Sequence, residues 1–262
     1  MSNGVDVDIS SRGVATILLN RPERSNAIDQ AMLDELARQF AKLAADDRTR
    51  VVVFRGAGKH FCSGADLVAR ASAAADPPAQ TGGERAAQTS IADMLAALDR
   101  LPKPTIALVH GAAIGGGAAV AACCDIVIAA EGAFFSIPEV RVGMPPLGVT
   151  PFVIRAIGFR SFRRYGLTGE RFGAAEALRV GLAHEVVSAD KLEEKLGEII
   201  DALLHGAPGA QRTLKEGMEH SVTPTVAEII SRKASHGSLR TAEAIEGTLS
   251  FKEKRKPSWY PQ

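Results

Sequence analysis

The chain has 262 residues, 46% of them apolar and 23% charged, with a formal net charge of +1. That is enough for one large domain, or one domain and a small appendage, around a buried core. It offers no basic field for nucleic acid, and three cysteines, two of them adjacent as Cys123 and Cys124, make neither a disulfide framework nor a metal site.

Met1–Ser11 lacks a basic start, an apolar core and an Arg-rich amphipathic pattern, so neither a signal nor a transit peptide is expected. Val5–Ile9 and Val14–Asn20 read as strands joined by a turn at Ser11-Arg12-Gly13. Ile28–Ala45 reads as a helix, because Met32, Leu33, Leu36, Phe40 and Leu43 fall on one face. Val51–Arg55 has the β-branched apolar run of a strand buried on both sides. Gly56–Ala65 is a Gly-rich turn. Ala71–Arg85, rich in Ala, Pro and Gly, reads as a loop, and Gln88–Asp99 as an amphipathic helix. Thr105–His110 and Ile126–Ala129 are strands flanking a small-residue helix at Gly115–Cys123. The stretch Ala112–Cys124 is too short to span a membrane, so a soluble cytoplasmic protein is expected. Strand and helix alternate, which predicts a layered α/β core. Beyond about Ser161 helical patterns dominate: Ala174–Val180, Lys191–Leu204, Ala210–His220 and Val226–Arg240. The predicted division is a core over 1–200 and a helical region over 201–262 that covers a neighbour rather than its own core.

Two Gly-rich turns follow buried strands: Phe61-Cys62-Ser63-Gly64-Ala65-Asp66-Leu67, and His110-Gly111-Ala112-Ala113-Ile114 running into Gly115-Gly116-Gly117. A strand that ends in glycine and enters a helix leaves N–H groups without intrahelical acceptors, and these favour negative charge. Two such turns converging would offer two donors to one oxyanion. Either turn alone reads more often as a tight connection between strand and helix. Three consecutive glycines near a helix start, however, cost roughly 0.5–1 kcal/mol each relative to Ala, and close approach of a ligand or a neighbouring segment would explain them.

Asn20-Arg21-Pro22-Glu23-Arg24-Ser25-Asn26-Ala27, then Phe61–Leu67, Gly115–Gly117, Cys124-Asp125, Pro138-Glu139 and the closing Phe251–Trp259 resemble, in order and spacing, the motifs of the crotonase (enoyl-CoA hydratase/isomerase) superfamily. The resemblance covers nearly the whole chain. It implies an α/β spiral of ββα repeats, a C-terminal helical trimerisation region, and a homotrimer or dimer of trimers. It implies an acyl-CoA substrate whose thioester enolate is held by the N–H groups of Ala65 and Gly116, with Gly64, Gly115 and Gly117 allowing close backbone approach. Ser63, Asp66 and Leu67 belong to the same turn, and Asp66 is expected to cap or brace it.

Glu139 matches the family's catalytic glutamate; without the resemblance it reads as a loop residue at the surface. Many hydratases of the family carry a second glutamate two residues after the three glycines, where this chain has Ala119. A single carboxylate suits proton transfer between α- and γ-carbons, and suits hydration if other groups hold the water. The run from Glu139 through Met144-Pro145-Pro146-Leu147 to Gly158 is similar to bacterial hydratases of branched glutaconyl-CoA thioesters. A distal carboxylate on such a substrate would call for a cation, and Arg70, Arg85 and Arg141 are candidates. Cys62 reads as a buried small hydrophobe, His110 as a structural group, and Ser63 does not sit in a nucleophile elbow.

Arg21 and Arg24 lie on a Pro-containing turn within reach of phosphate, or are solvated surface charges. The resemblance assigns Phe251 and Lys254 of the basic tail to coenzyme A bound at the adjacent subunit. No metal or redox cofactor is expected; coenzyme A enters as the carrier of the substrate. The leading expectation is therefore an enoyl-CoA hydratase, followed by a 3-enoyl to 2-enoyl-CoA isomerase using Glu139 alone. A third is a non-catalytic CoA-binding scaffold, with no nucleic-acid or membrane partner.

Overall fold

The computed structural model of the chain describes residues 3–66, 89–219, 246 and 253–261. Its strands are β1 (Val5–Ile9), β2 (Val14–Leu19), β3 (Val51–Gly56), β4 (Thr105–Val109), β5 (Ala112–Ile114), β6 (Ile126–Ala130), β7 (Phe134–Ser136), β8 (Phe172–Gly173) and β9 (Glu185–Val187). Its helices are α1 (Gln30–Ala45), α2 (Ile91–Asp99), α3 (Gly116–Cys123), α4 (Thr150–Thr168), α5 (Ala174–Arg179), α6 (Leu192–His205) and α7 (Pro208–Glu219).

One sheet has the order β1-β2-β3-β4-β6-β9, parallel except for the β1–β2 pair, and a second has the order β5-β7-β8. The period-2 alternation of a strand sorts the central residues onto two faces. Val52, Phe54, Ala107, Val109, Val127 and Ala129 join the larger core with α1–α5. Val51, Val53, Ile106, Leu108, Ile128 and Ala130 pack against Leu192, Leu196 and Leu204 of α6. Coverage on both sides is why these strands read as continuous apolar runs. β4 passes through Gly111 into β5 and then α3; β6 passes into β7 and then a helical turn at Glu139–Val142. After β3, Cys62 forms a bridge to Ala113 of β5. Each repeat thus gives one strand to each sheet before its helix, the spiral of ββα units.

α1 is held by Asp29, whose carboxylate accepts the Met32 N–H at 2.9 Å. α2 starts at Ile91 rather than Gln88, because Ser90 and Asp93 form a reciprocal capping box. The predicted change of character at Ser161 falls inside α4, which is two helical runs meeting at Gly158 (φ 75°). Beyond it β8 and β9 continue both sheets, so the α/β core reaches Val187.

The described part of the C-terminal region docks on its own chain. Lys215 of α7 bonds Asp125 Oδ2 at 2.5 Å and Lys103 O at 3.1 Å. The indole of Trp259 donates to His205 O at 3.0 Å, and Tyr260 packs on the His205 ring at 4.4 Å. The predicted helix Val226–Arg240 lies outside the described residues. No described helix is long and apolar enough to cross a membrane.

Candidate active site

The cleft is built where β3 and β4 run out. After β3 the chain turns through Gly58 (φ 71°) and reaches Phe61–Asp66 alongside residues 25–28. The Ile28 N–H donates to Gly64 O at 2.7 Å and the Asp66 N–H to Ile28 O at 2.9 Å, a parallel bridge between Ile28 and Ala65. Extended backbone alternates the direction of its N–H groups. With Gly64 O and Asp66 N–H spent on Ile28, the Ala65 N–H faces the other way. Facing that side is the second turn: Gly64 has φ 86°, and a Cβ on it would stand 2.6 Å from Ile114 O and 3.4 Å from Gly116 N.

Gly116 is the first residue of α3, so its N–H has no acceptor within the helix. Gly115 caps that helix with φ 52° and ψ −116°, a conformation reserved for glycine, and its N–H donates to Ser136 O at 2.8 Å. Gly117 seats α3 on the first turn, since a Cβ there would lie 2.5 Å from Cys62 O. The two turns therefore touch through backbone, which brings the Ala65 and Gly116 peptides close together.

Glu139 reaches this place from β7. Pro138 precedes it, the Met144 N–H closes onto Glu139 O at 3.0 Å, and Gly143 (φ 72°) ends the turn. Its side chain lies on Gly115: a Cβ on that glycine would meet Glu139 Oε1 at 2.5 Å. Glu139 is half-buried, and Oε2 is enclosed without a hydrogen-bond partner among the described residues. Burial raises its pKa above the ordinary carboxylate value, while its own N–H pulls the other way. A carboxyl so placed, beside the first peptide units of α3, could exchange a proton with a carbon adjacent to an oxyanion held there.

Ser63, Gly64, Ala65, Asp66, Gly115, Gly116, Gly117 and Glu139 thus come together at one place. Asp66 is buried and pairs with Arg21 at 3.2 Å. Arg21 also donates to Ala27 O at 2.7 Å and pairs with Asp29 at 2.9 Å, so its guanidinium is occupied within the fold. Arg24 is exposed on the neighbouring turn, and Ser63 Oγ donates to Arg24 O at 3.4 Å. Ala119 has no exposed surface and belongs to the core. It lies one turn into α3, after three glycines that are buried like it. Leu67 and Phe251 lie outside the described residues, as do Arg70 and Arg85. The segment that holds Lys254 is anchored at the far end of β3, where Arg50 donates to Trp259 O.

Two contributors had no signal of their own in the sequence. Asn26, fully buried and with φ 56°, donates to the carbonyls of Ala57, His60 and Phe61 at 2.9, 2.8 and 3.2 Å. Its Oδ1 accepts the Arg21 N–H at 2.9 Å, which locks the two segments together. Ser136, besides accepting from Gly115, donates its Oγ to Gly169 O at 3.0 Å. Cys62 is held by Asn26 O at 3.1 Å, and burial pushes its thiol up to about 12, which removes it as a nucleophile. His110 Nε2 sits 2.9 Å from Gly58 O, a structural contact. Among the described residues no group of His, Cys, Asp and Glu could hold a metal ion.

A profile of the Enoyl-CoA hydratase/isomerase family matches residues 10–262. Carnitinyl-CoA dehydratase of Proteus mirabilis is 34% identical over 261 residues, covering 96% of this chain and 97% of its own. Mevalonyl-coenzyme A hydratase sidH of Aspergillus fumigatus is 32% identical over 267 residues, covering 98% and 95%. Among solved structures, an enoyl-CoA hydratase/isomerase from Marinobacter aquaeolei superposes with a TM-score of 0.89 at 29% identity, covering 99% of this chain and 100% of that one. Pseudomonas aeruginosa AtuE superposes with a TM-score of 0.89 at 36% identity, covering 98% and 99%.

Proposed function

The chain belongs to the enoyl-CoA hydratase/isomerase family, and from that premise we propose that it adds water to, or removes it from, the α,β double bond of an acyl-CoA thioester, with Glu139 as the sole proton carrier. The observation that carries this reading is the Glu139 carboxyl packed on Gly115 at the start of α3, one oxygen enclosed and without a partner among the described residues.

In the hydration direction Glu139 is ionised and holds a water. The water oxygen bonds to the β-carbon as Glu139 takes its proton. The π electrons move through the α-carbon onto the thioester oxygen, where the two N–H groups stabilise the enolate. The enolate collapses and its α-carbon takes the proton back from Glu139, so water has been added and the carboxylate restored. A raised pKa suits a group that must both accept and release a proton near working pH. The hydratase and dehydratase names among the relatives describe this one reversible reaction and support it.

Ile91 supports an apolar acyl chain. Its Cδ1 stands 3.4 Å from where a Cβ on Gly116 would be, and its Cγ2 stands 3.2 Å from the equivalent point on Gly148. The narrower reading, a branched glutaconyl thioester, rests on the run from Glu139 to Gly158. Arg141 does not support it, since its Nε donates to Thr168 O at 2.9 Å. Exposed Phe159, Leu167, Leu214 and Met218 support assembly into a homotrimer or a dimer of trimers.

A second reading, 3-enoyl to 2-enoyl isomerisation, is favoured by Ala119, which leaves Glu139 without a second carboxylate. The absorbance of the conjugated enoyl thioester separates the two, with crotonyl-CoA, a longer 2-enoyl-CoA, 3-methylglutaconyl-CoA and a 3-enoyl-CoA as substrates. Loss of signal with formation of 3-hydroxyacyl-CoA is expected. A rise from the 3-enoyl substrate alone would make the protein an isomerase. Coenzyme A binding with silence across the panel would make it a scaffold.

A further inference from the structure

We propose that Arg21 is a positioning residue of the thioester-oxygen site: its guanidinium fixes Asp66, and through Asp66 the direction of the Ala65 N–H. The inference rests on the reading of that site given above. It departs from a role for Arg21 in holding phosphate.

The geometry is a staple across the Ile28–Ala65 bridge. On one side, Nη1 donates to Ala27 O at 2.7 Å and pairs with Asp29 Oδ2 at 2.9 Å, the residues on either flank of Ile28. On the other side, Nη2 pairs with Asp66 Oδ2 at 3.2 Å, the residue that follows Ala65. One planar fork therefore grips both partners of the bridge that decides where the Ala65 N–H points. A lysine ammonium, a point charge, could not span the three acceptors in this way.

The staple is itself held. The Arg21 N–H donates to buried Asn26, and the side chain lies over Gly4, where a Cβ would come within 2.7 Å of Arg21 Cδ. The side chains of Arg21 and Asp66 are 20% and 8% exposed, so the pair is sheltered from the solvent screening that weakens surface pairs. Asp29 also caps α1, so the same cation ties the oxyanion turn to the start of a core helix.

Displacing a preorganised group by about 1 Å costs about 10²-fold in rate. Arg21→Met and Asp66→Asn are therefore expected to lower kcat by about 10- to 100-fold, with the Kd for coenzyme A within about twofold of the parent. Their effects should fall short of multiplying in the double variant, because both disrupt the shared Arg21–Asp66 pair. Arg21→Lys should recover only part of kcat. A readout independent of turnover is the ultraviolet band of the acetoacetyl-CoA enolate. Bound to the parent protein, this ligand should ionise at a lower pH than when bound to either variant.

Loss of coenzyme A affinity with kcat unchanged would make Arg21 a phosphate ligand and overturn the proposal. So would an unchanged kcat and an unchanged enolate titration in both variants. If Arg21→Met fails to fold, Asp66→Asn, of nearly identical shape, carries the test. A parent protein that ionises acetoacetyl-CoA yet hydrates no enoyl-CoA would remove the hydratase reading and leave the enolate titration to judge Arg21. No ionisation by the parent protein would remove the thioester-oxygen site and this proposal with it.

Discussion

The two ends of the parallel strands are built on opposite terms. At the amino ends, cations finish on oxygen acceptors: Arg50 on Gly206 O at 2.9 Å, Lys103 on Asp46 O at 3.2 Å, Lys215 on Asp125 at 2.5 Å. At the carboxyl ends, Gly64 and Gly115 have positive φ and Glu139 Oε2 is enclosed without a described partner. Cation–oxygen bonds at one end tie helices and tail to the sheet. At the other end positive-φ glycines and an enclosed carboxylate leave capacity for a ligand, and local rules a stable protein obeys are broken there.

The largest effect that tests this contrast is expected from Glu139→Gln. Loss of the proton carrier should lower kcat by about 10³-fold or more, with coenzyme A binding retained. The same change should raise Tm at pH 7. A carboxyl whose folded pKa is raised binds protons more tightly in the native state, so its contribution to stability falls as pH rises from the ordinary carboxylate value through the folded one. The gain in Tm should therefore vanish in acid, where both states are protonated. For the parent enzyme, the acid limb of hydration activity should lie above the ordinary carboxylate pKa.

Gly115→Ala comes next. Its Cβ would meet Glu139 at 2.5 Å in a conformation alanine resists. Rate should fall about 10²-fold, with about 1–3 kcal/mol of stability, read from turnover and denaturant titration. The amino end should answer in the reverse sense. Lys215→Met removes a charged hydrogen bond to Asp125, so about 2 kcal/mol of stability should go, with kcat per folded molecule unchanged. A large kcat change there would break the contrast. The smallest effect is Arg24→Ala: an exposed cation near phosphate contributes up to about 1 kcal/mol, so the KM for an acyl-CoA should rise about threefold and the difference should fade with salt.

The central strands were legible because burial on both faces writes β-branched runs, and α1 because its apolar stripe has helical spacing. β5, β8 and β9 were not, since two or three residues carry no period. Glu139 was legible only through resemblance; by itself it is a carboxylate after a proline. Arg21 stands on a Pro turn in a basic neighbourhood, and nothing local reveals carboxylate partners 8 and 45 positions away. Asn26 was hidden for a similar reason: its partners are main-chain carbonyls, which every sequence has. Ala119 was a real departure that the sequence displayed, but its complete burial needed the packing of α3.

The central claim is that one carboxylate takes the proton from water and returns it to the α-carbon. Hydration of a 2-enoyl-CoA in deuterium oxide, followed by NMR assignment of the product's relative configuration, tests it most directly. A single group above one face of the substrate predicts deuterium at the α-carbon and hydroxyl at the β-carbon on the same face. Addition to opposite faces would require a second proton donor across the cleft and would contradict the account.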